Sequence, residues 1–117
     1  MLEQLTSEQL QELLSRFVNV LMEMPQLKIR EIILFGSYAR GDADEESDVD
    51  LMILTDIPRD EIPSFRHYIS HVAAKLGLEY GPMVSPIMQN YDFFTQWTET
   101  LPFYRNVRAE GVSLHAA

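Results

Sequence analysis

The chain has 117 residues, 46% of them hydrophobic, and its 18 acidic side chains outnumber 9 basic ones, for a formal net charge of −9. A chain of this length usually forms one compact domain that buries roughly two thirds of its unfolded surface, so we expect a single domain over residues 1–117. The acidic balance argues against direct nucleic-acid binding, because phosphates would meet a repulsive field. The absence of cysteine argues against disulfides and thiolate metal sites.

The ends and apolar runs of the chain bear on its location. The first residues, MLEQLTSEQL, have acids where a secretory signal would have bases before an apolar run. The apolar runs, such as Ile32 to Phe35 and Leu51 to Leu54, are far shorter than the about 20 residues that a membrane-spanning helix needs. We therefore expect a cytoplasmic protein that does not bind membranes.

The first predicted elements are a helix and two strands. Thr6 to Met24 has apolar residues at helical spacing, with Thr6 and Gln9 spaced as a capping box and a proline after the end. The run EIILFG predicts a short strand that ends in a glycine. The run DVDLMIL predicts a second strand, in which Val49, Leu51 and Ile53 face one way while Asp48, Asp50 and Met52 face the other.

The second half of the chain predicts helices around a weaker strand. Asp60 to Leu76 has helical periodicity, and Gly77 is placed as its stop. The run MVSPIM is a third strand candidate, which belongs at an edge because Pro86 cannot donate to a ladder. From Tyr91 onward two short helices are expected, divided near a proline and stopped by Gly111. The pattern predicts an α/β fold in which helices pack on a small mixed sheet.

The segment FGSYARGDADEESDVDL carries the chemistry. Gly36 permits a tight bend after the first strand, and Ser37 begins a short helix whose free amides suit a phosphate. Ten residues further on, Asp48 and Asp50 project to the same face and suit Mg²⁺. Either fragment alone is more often a plain turn or a solvated acidic loop. The joint arrangement favours metal-assisted chemistry on a nucleoside triphosphate.

The motif Gly-Ser, ten residues, Asp-x-Asp resembles the minimal nucleotidyltransferases (MNT) of the DNA polymerase β-like superfamily. LFGSYARG, SDVDLMIL and the ending PFYRNVRAEGVSL are similar to that family. The resemblance implies a nucleotidyltransferase fold and transfer of AMP from ATP to a hydroxyl. It implies that Gly36 and Ser37 hold the triphosphate and that the catalytic Asp48 and Asp50 bind Mg²⁺.

One departure from the family concerns catalysis. Members normally add a third carboxylate from a later strand, and the corresponding stretch here, EYGPMVSPIMQN, has no acid in its strand-like part. Glu79 before that strand or Asp92 after it are possible substitutes, although Asp92 suits the N-cap of the following helix better. We expect that the third acid is missing.

Other residues admit two interpretations. Arg40 either reaches a phosphate beside Gly36 and Ser37 or pairs with the acids of residues 42–46. His67 and His71 have the spacing of a metal pair, but solvated surface is the better interpretation because no third ligand is evident. The aromatic residues from Tyr91 to Tyr104 are expected mainly in the core, with some left for a partner interface.

Three functions remain open. The resemblance to antitoxin members implies an enzyme that adenylylates a helical HEPN toxin. The missing acid suggests instead a binding module that has lost catalysis and neutralises its partner by contact. Transfer to a small molecule such as an aminoglycoside is the third possibility, which the short chain disfavours because it leaves little room for an added substrate domain.

Overall fold

A computed structural model describes residues 5–117, and it confirms the predicted α/β fold. The elements in chain order are α1 (Ser7–Met22), a 3-10 turn (Pro25–Leu27), β1 (Ile29–Phe35), α2 (Ser37–Arg40), β2 (Val49–Thr55), α3 (Pro63–Tyr80), β3 (Val84–Asn90), α4 (Tyr91–Trp97), α5 (Pro102–Glu110) and β4 (Val112–Ala116). The four strands form one sheet in the order β3-β2-β1-β4. Strand β1 is antiparallel to both β2 and β4, whereas β2 and β3 are parallel.

Helix α1 begins with the predicted capping box. The Thr6 hydroxyl accepts from the Gln9 amide at 3.1 Å, and the Gln9 side chain accepts from the Thr6 amide at 2.9 Å. These two bonds satisfy amide groups that a helix N-terminus otherwise leaves without partners. The helix ends at Met22, two residues before the predicted end, and buries one side against the sheet.

The two faces of the sheet carry separate clusters of buried residues. The face toward α1 and α3 contains Val49, Leu51 and Ile53. The opposite face, toward α4 and α5, contains Met52 and Leu54 together with residues of β1 and both helices (Ile33, Phe94 and Val107). Successive side chains of a strand alternate between faces, so Asp50 lies on the α4/α5 face. The predicted division of β2 is confirmed.

An ion pair joins β1 to α5 on the α4/α5 face. Glu31 is 7% exposed, and its two carboxylate oxygens accept hydrogen bonds from the Arg108 guanidinium at 3.0 Å each. A carboxylate is costly to bury unless it is paired and hydrogen-bonded, and this fork-like geometry supplies both conditions. The pair fixes α5 against the strand that leads into the Gly36 turn.

The predicted ends of the second helix were wrong. Helix α3 begins at Pro63, not at Asp60, and it continues through Gly77 to Tyr80. The stop is Gly81, whose φ of 111° is a conformation that side-chain-bearing residues rarely adopt. Gly77 stays helical, and a Cβ there would lie 2.9 Å from the Pro82 carbonyl oxygen, so its smallness serves close packing. Within residues 5–117, the helices are too short or too polar to cross a membrane.

Two further features differ from the sequence-based expectation. The N-cap of α4 is Asn90, whose side chain accepts from the Phe93 amide at 3.0 Å, so the assignment of Asp92 as N-cap was wrong. Asp92 lies in the first helical turn. Strand β4 was not predicted, and it pairs with β1 as an edge of the sheet.

Strand β3 forms the other edge, as Pro86 predicted. The Val49 amide donates to the Met83 carbonyl at 2.9 Å, which sets the hydrogen-bonding phase of the parallel β2/β3 pair. Alternate residues of β3 then direct their amides toward β2, beginning with Ser85. Pro86 therefore faces outward, where its lack of an N–H removes no bond from the sheet.

Candidate functional site

The site is built where β1 ends beside the start of β2. Phe35, the last residue of β1, pairs with Asp50, so the turn that follows lies next to this carboxylate. Gly36 has φ 79° and ψ −158°, a conformation that is essentially restricted to glycine. A Cβ on Gly36 would collide with Asp50 Oδ2. Glycine is thus required twice here, by the backbone conformation and by the close approach of the carboxylate.

Helix α2 begins immediately after this turn. Its N-cap is Gly36, which has no side chain to bond the first amides of the helix. The first amides of any helix have no intrahelical acceptor, and together they attract an anion. The Ser37 hydroxyl stands at the same end. This local arrangement suits a phosphate group, although it is a single turn of helix, and phosphate binding stays a prediction.

A cavity of ≈ 370 Å³ connects the turn to Asp50 and to one side of α5. Its volume lies within the range of about 300 to 1,000 Å³ that is usual for small-molecule sites. The residues that line it come from the end of β1, from α2, from β2 and from α5: Phe35, Gly36, Ser37, Arg40, Asp50, Phe103, Asn106, Val107 and Glu110. Four of the five predicted site residues therefore line one cavity.

The fifth predicted residue, Asp48, lies just before β2 and is exposed. Partial burial raises the pKa of Asp50, and the charge of Asp48 raises it further, while Arg40 lowers it. Burial raises the pKa of Tyr38, with a smaller contribution from Asp44 and Asp48. The two predicted carboxylates thus repel each other, which is the electrostatic condition that a bound cation relieves.

Arg40 forms an ion pair of the kind that one interpretation of the sequence predicted, and its contact with a phosphate stays a prediction. It lines the cavity, and its guanidinium also pairs with Asp42 at 3.3 Å and with Glu110 at 3.4 Å. Asp42 belongs to the expected acidic stretch, whereas Glu110 is contributed by α5 from the far side of the cavity. The Arg40 side chain is 44% exposed, so these pairs are weak and leave the guanidinium free to exchange partners.

Within the described part of the chain, strand β3 places no acid beside Asp50, where the third carboxylate of the family was expected. Ser85 of β3 pairs with Asp50 and occupies the neighbouring strand on the same face. Glu79 is paired with Arg16 at the contact between α3 and α1, and Asp92 acts on Arg30 beside α4. Among residues 5–117, no group of three or more His, Cys, Asp or Glu side chains is arranged to hold a metal ion.

The donor set nevertheless fits one kind of cation. Mg²⁺ binds through one or two carboxylates and completes its octahedral shell with waters and substrate phosphates. Asp48 and Asp50 provide the two carboxylates, and the missing side chain of Gly36 leaves space beside Asp50. A cage made only of protein ligands would need more acids than the described residues bring together.

Sequence reasoning missed the α5 wall of the cavity. Phe103, Asn106, Val107 and Glu110 have the spacing of one helical face, which is visible in the sequence. Nothing local, however, says that this face meets the Gly36 turn, because the contact depends on how α5 crosses β1. The prediction for the two histidines is confirmed, since His67 and His71 are both exposed on α3.

A match to a family model identifies the family to which the chain belongs. A family model of the nucleotidyltransferase domain matches residues 14–102, and the chain belongs to this family. The predicted resemblance and the predicted type of enzyme are confirmed.

Relatives and solved structures agree with this assignment. A Methanocaldococcus jannaschii protein named "putative protein adenylyltransferase" is 38% identical over 105 residues, which cover 87% of this chain and 94% of the relative. The protein adenylyltransferase MntA of Thermococcus cleftensis is 41% identical over 77 residues, covering 63% and 72%. A crystal structure described as the toxin-antitoxin with AMP-PNP has a TM-score of 0.56 at 21% identity, covering 87% of this chain and 73% of that one, which supports the fold.

Proposed function

We propose that the protein transfers AMP from ATP to a hydroxyl group of a partner protein, as the antitoxin of a toxin-antitoxin pair whose toxin is a helical HEPN protein. Relatives named protein adenylyltransferases support the reaction type. The similar fold of a toxin-antitoxin protein crystallised with AMP-PNP supports ATP as donor and a toxin as partner. The acidic charge fits a protein partner better than a nucleic acid.

The observation that carries the proposal is the close packing of Gly36 on Asp50. Only a glycine allows the phosphate-binding type of turn and the carboxylate to share one cavity. Gly36, Ser37 and Arg40 would bind the triphosphate on this wall. Asp48 and Asp50 would hold Mg²⁺, which, when bound, neutralises phosphate charge and aligns the α-phosphate with the attacking hydroxyl.

The chain's own residues act mainly by positioning. The turn orients the triphosphate, and the cavity wall of α5 limits how the donor can lie. Phosphoryl-type transfer depends largely on such placement and on charge neutralisation, so few protein groups are required. The acceptor hydroxyl is supplied from outside in this proposal, because Ser37 is assigned to the triphosphate and the other described residues that line the cavity carry no hydroxyl group.

Ser85 beside Asp50 supports a second candidate function. General-base assistance contributes about 10² to 10⁴ in rate, and the position next to Asp50 on β3 has a serine, not an acid. A protein without that assistance would turn over slowly, and a fully inactive one would neutralise the toxin by contact alone. The first candidate predicts AMP on the partner, and the second predicts a bound but unmodified partner.

Intact-protein mass spectrometry separates the two candidates. The protein encoded by the neighbouring gene would be incubated with this chain, ATP and Mg²⁺. We expect a mass increase of one AMP on the partner, and its loss in the double variant Asp48→Asn, Asp50→Asn.

The matched control is Asp60→Asn, because Asp60 is an exposed acid that does not line the cavity. It should leave the modification unchanged. An unmodified partner that still forms a stable, silenced complex with the wild-type chain would refute the enzyme and establish the contact mechanism.

A further inference from the structure

The α5 wall of the cavity has a composition that the proposed phosphate and metal roles do not explain. Phe103, Asn106, Val107 and Glu110 follow one face of α5 and line the same cavity as Gly36 and Asp50. None of the four is a cation, and the Glu110 carboxylate would repel a phosphate. The phosphate-binding groups all lie on the opposite wall, so the cavity has two chemically different sides.

Phe103 is the most informative residue of this wall. Its side chain is 45% exposed, and it lies outside both clusters of buried core residues. Two neighbouring rings hold it in place: Phe35 meets it edge to face at 5.6 Å, and Tyr104 lies at 5.9 Å with a tilt of 50°. A ring that two neighbouring rings contact but that stays nearly half exposed offers a surface on which a flat ligand can stack.

The polar residues of the wall complete a different requirement. Asn106 offers both a donor and an acceptor, and Glu110 offers acceptors that hydroxyl groups can donate to. A flat aromatic surface beside such groups matches the base and sugar of a nucleoside, whose ring systems stack and whose hydroxyls donate. The Arg40–Glu110 pair, at 3.4 Å, spans the two walls at one end of the cavity.

We infer that the α5 wall is the nucleoside-binding side of the cavity. Phe103 stacks on the base of the donor nucleotide, and Asn106 and Glu110 bind its sugar or base edge. This inference rests on the proposed function, because it requires that the triphosphate lies on the Gly36 and Ser37 side. The competing occupant of the same wall is a segment of the acceptor protein.

Isothermal titration calorimetry with two ligands tests the inference. Mg²⁺–ATP contains the nucleoside, and Mg²⁺–tripolyphosphate contains the phosphate chain without it. Base stacking is strong enough that we expect Phe103→Ala to weaken ATP binding about tenfold. Tripolyphosphate affinity should not change. Asn106→Ala should weaken ATP selectively as well, which provides a second variant in case the first one folds poorly.

Two controls accompany this measurement. Phe103→Trp keeps a stacking surface and should retain ATP affinity. Trp97→Ala removes an aromatic residue of similar exposure, 36%, that does not line the cavity. This variant should change the affinity for neither ligand.

Three results would overturn the inference. Equal losses for both ligands in Phe103→Ala would show a general disturbance of the cavity, and unchanged ATP affinity in both the Phe103 and Asn106 variants would show that the nucleoside lies elsewhere. A Phe103→Ala variant that binds the partner protein more weakly but binds ATP with unchanged affinity would assign the α5 wall to the acceptor protein. Failure of the wild-type chain to bind either ligand would instead refute the proposed function on which the inference rests.

Discussion

Replacing Gly36 with alanine should damage both stability and nucleotide binding. The backbone of Gly36 has φ 79° and ψ −158°, where a residue with a side chain is strained by about 1 to 3 kcal/mol. The added Cβ would also collide with Asp50 Oδ2 and lie 3.3 Å from Asp50 Cγ. The carboxylate must therefore move away from the turn, which separates the two halves of the predicted metal and phosphate site.

The expected magnitude follows from these two contributions. Strain and collision together should lower the free energy of unfolding by about 3 kcal/mol, which corresponds to a Tm lower by about 10 °C for a chain of this size. Displacement of Asp50 should weaken Mg²⁺–ATP binding by more than about tenfold, since a charge-assisted contact is lost.

Gly41→Ala is the matched control. Gly41 also has a positive φ, 85°, but an added Cβ there meets no atom within 4 Å. This variant should lose about 1 to 2 kcal/mol of stability through backbone strain and retain its affinity for Mg²⁺–ATP. Thermal unfolding and calorimetry on both variants separate strain from collision. If Gly36→Ala binds Mg²⁺–ATP as tightly as Gly41→Ala does, the reasoning about Asp50 is refuted.

Three further changes test the packing and electrostatics around the site. Arg108→Met leaves the Glu31 carboxylate without its partner and should lower the free energy of unfolding in urea by about 2 kcal/mol. This is less than the loss expected for a fully buried pair, because the Arg108 side chain is 40% exposed. Adding Glu31→Met should recover most of the loss, and an Arg108→Met variant as stable as the wild type would contradict the argument. Burial and the charge of Asp48 raise the pKa of Asp50 above its usual 3.8, so the folded state keeps this proton to higher pH than the unfolded state does. The free energy of unfolding therefore falls as the pH rises from the unfolded-state pKa to the raised folded-state pKa. Asp50→Asn should therefore raise the Tm at pH 7 without ligand, and the gain should disappear at about pH 3; an equal gain at both pH values would count against it. Phe94→Ala removes a ring that is 0% exposed and should lower the free energy of chemical unfolding by about 3 to 5 kcal/mol. A loss below about 1 kcal/mol would show that α4 contributes little to the core.

The sequence was most informative where a short segment determines its own geometry. The Gly36 turn, the short helix from Ser37 to Arg40 and the alternation around Asp50 are local patterns, and the structure contains all three. The strand before the turn is longer than the predicted apolar run, because Ile29 and Arg30 join it. Side chains along a strand alternate between its two faces, so the face on which Asp50 lies is readable from the residue order alone.

Features that depend on distant partners were not predictable in this way. Glu31 and Arg108 are 77 residues apart in the sequence, and no local pattern around either residue predicts an ion pair between them. Strand β4 has only five residues, and its pairing with β1 decides its conformation more than its own composition does. The prediction that Gly77 ends the helix was wrong for a related reason, because this glycine is required by close packing against the Pro82 carbonyl, and the local residue pattern does not show that contact.

The outward position of Pro86 also affects how copies of the protein behave when they are crowded together. An exposed strand edge invites a second chain to add its own strand, which is a common route to aggregation. Along the outer side of β3, Pro86 removes one donor from any such ladder, and an intermolecular strand would lose about 1 kcal/mol at that point. Pro86 therefore disfavours pairing of the β3 edge with a strand of another copy of the protein. Overexpressed protein carrying Pro86→Val should precipitate at a lower concentration than the wild type.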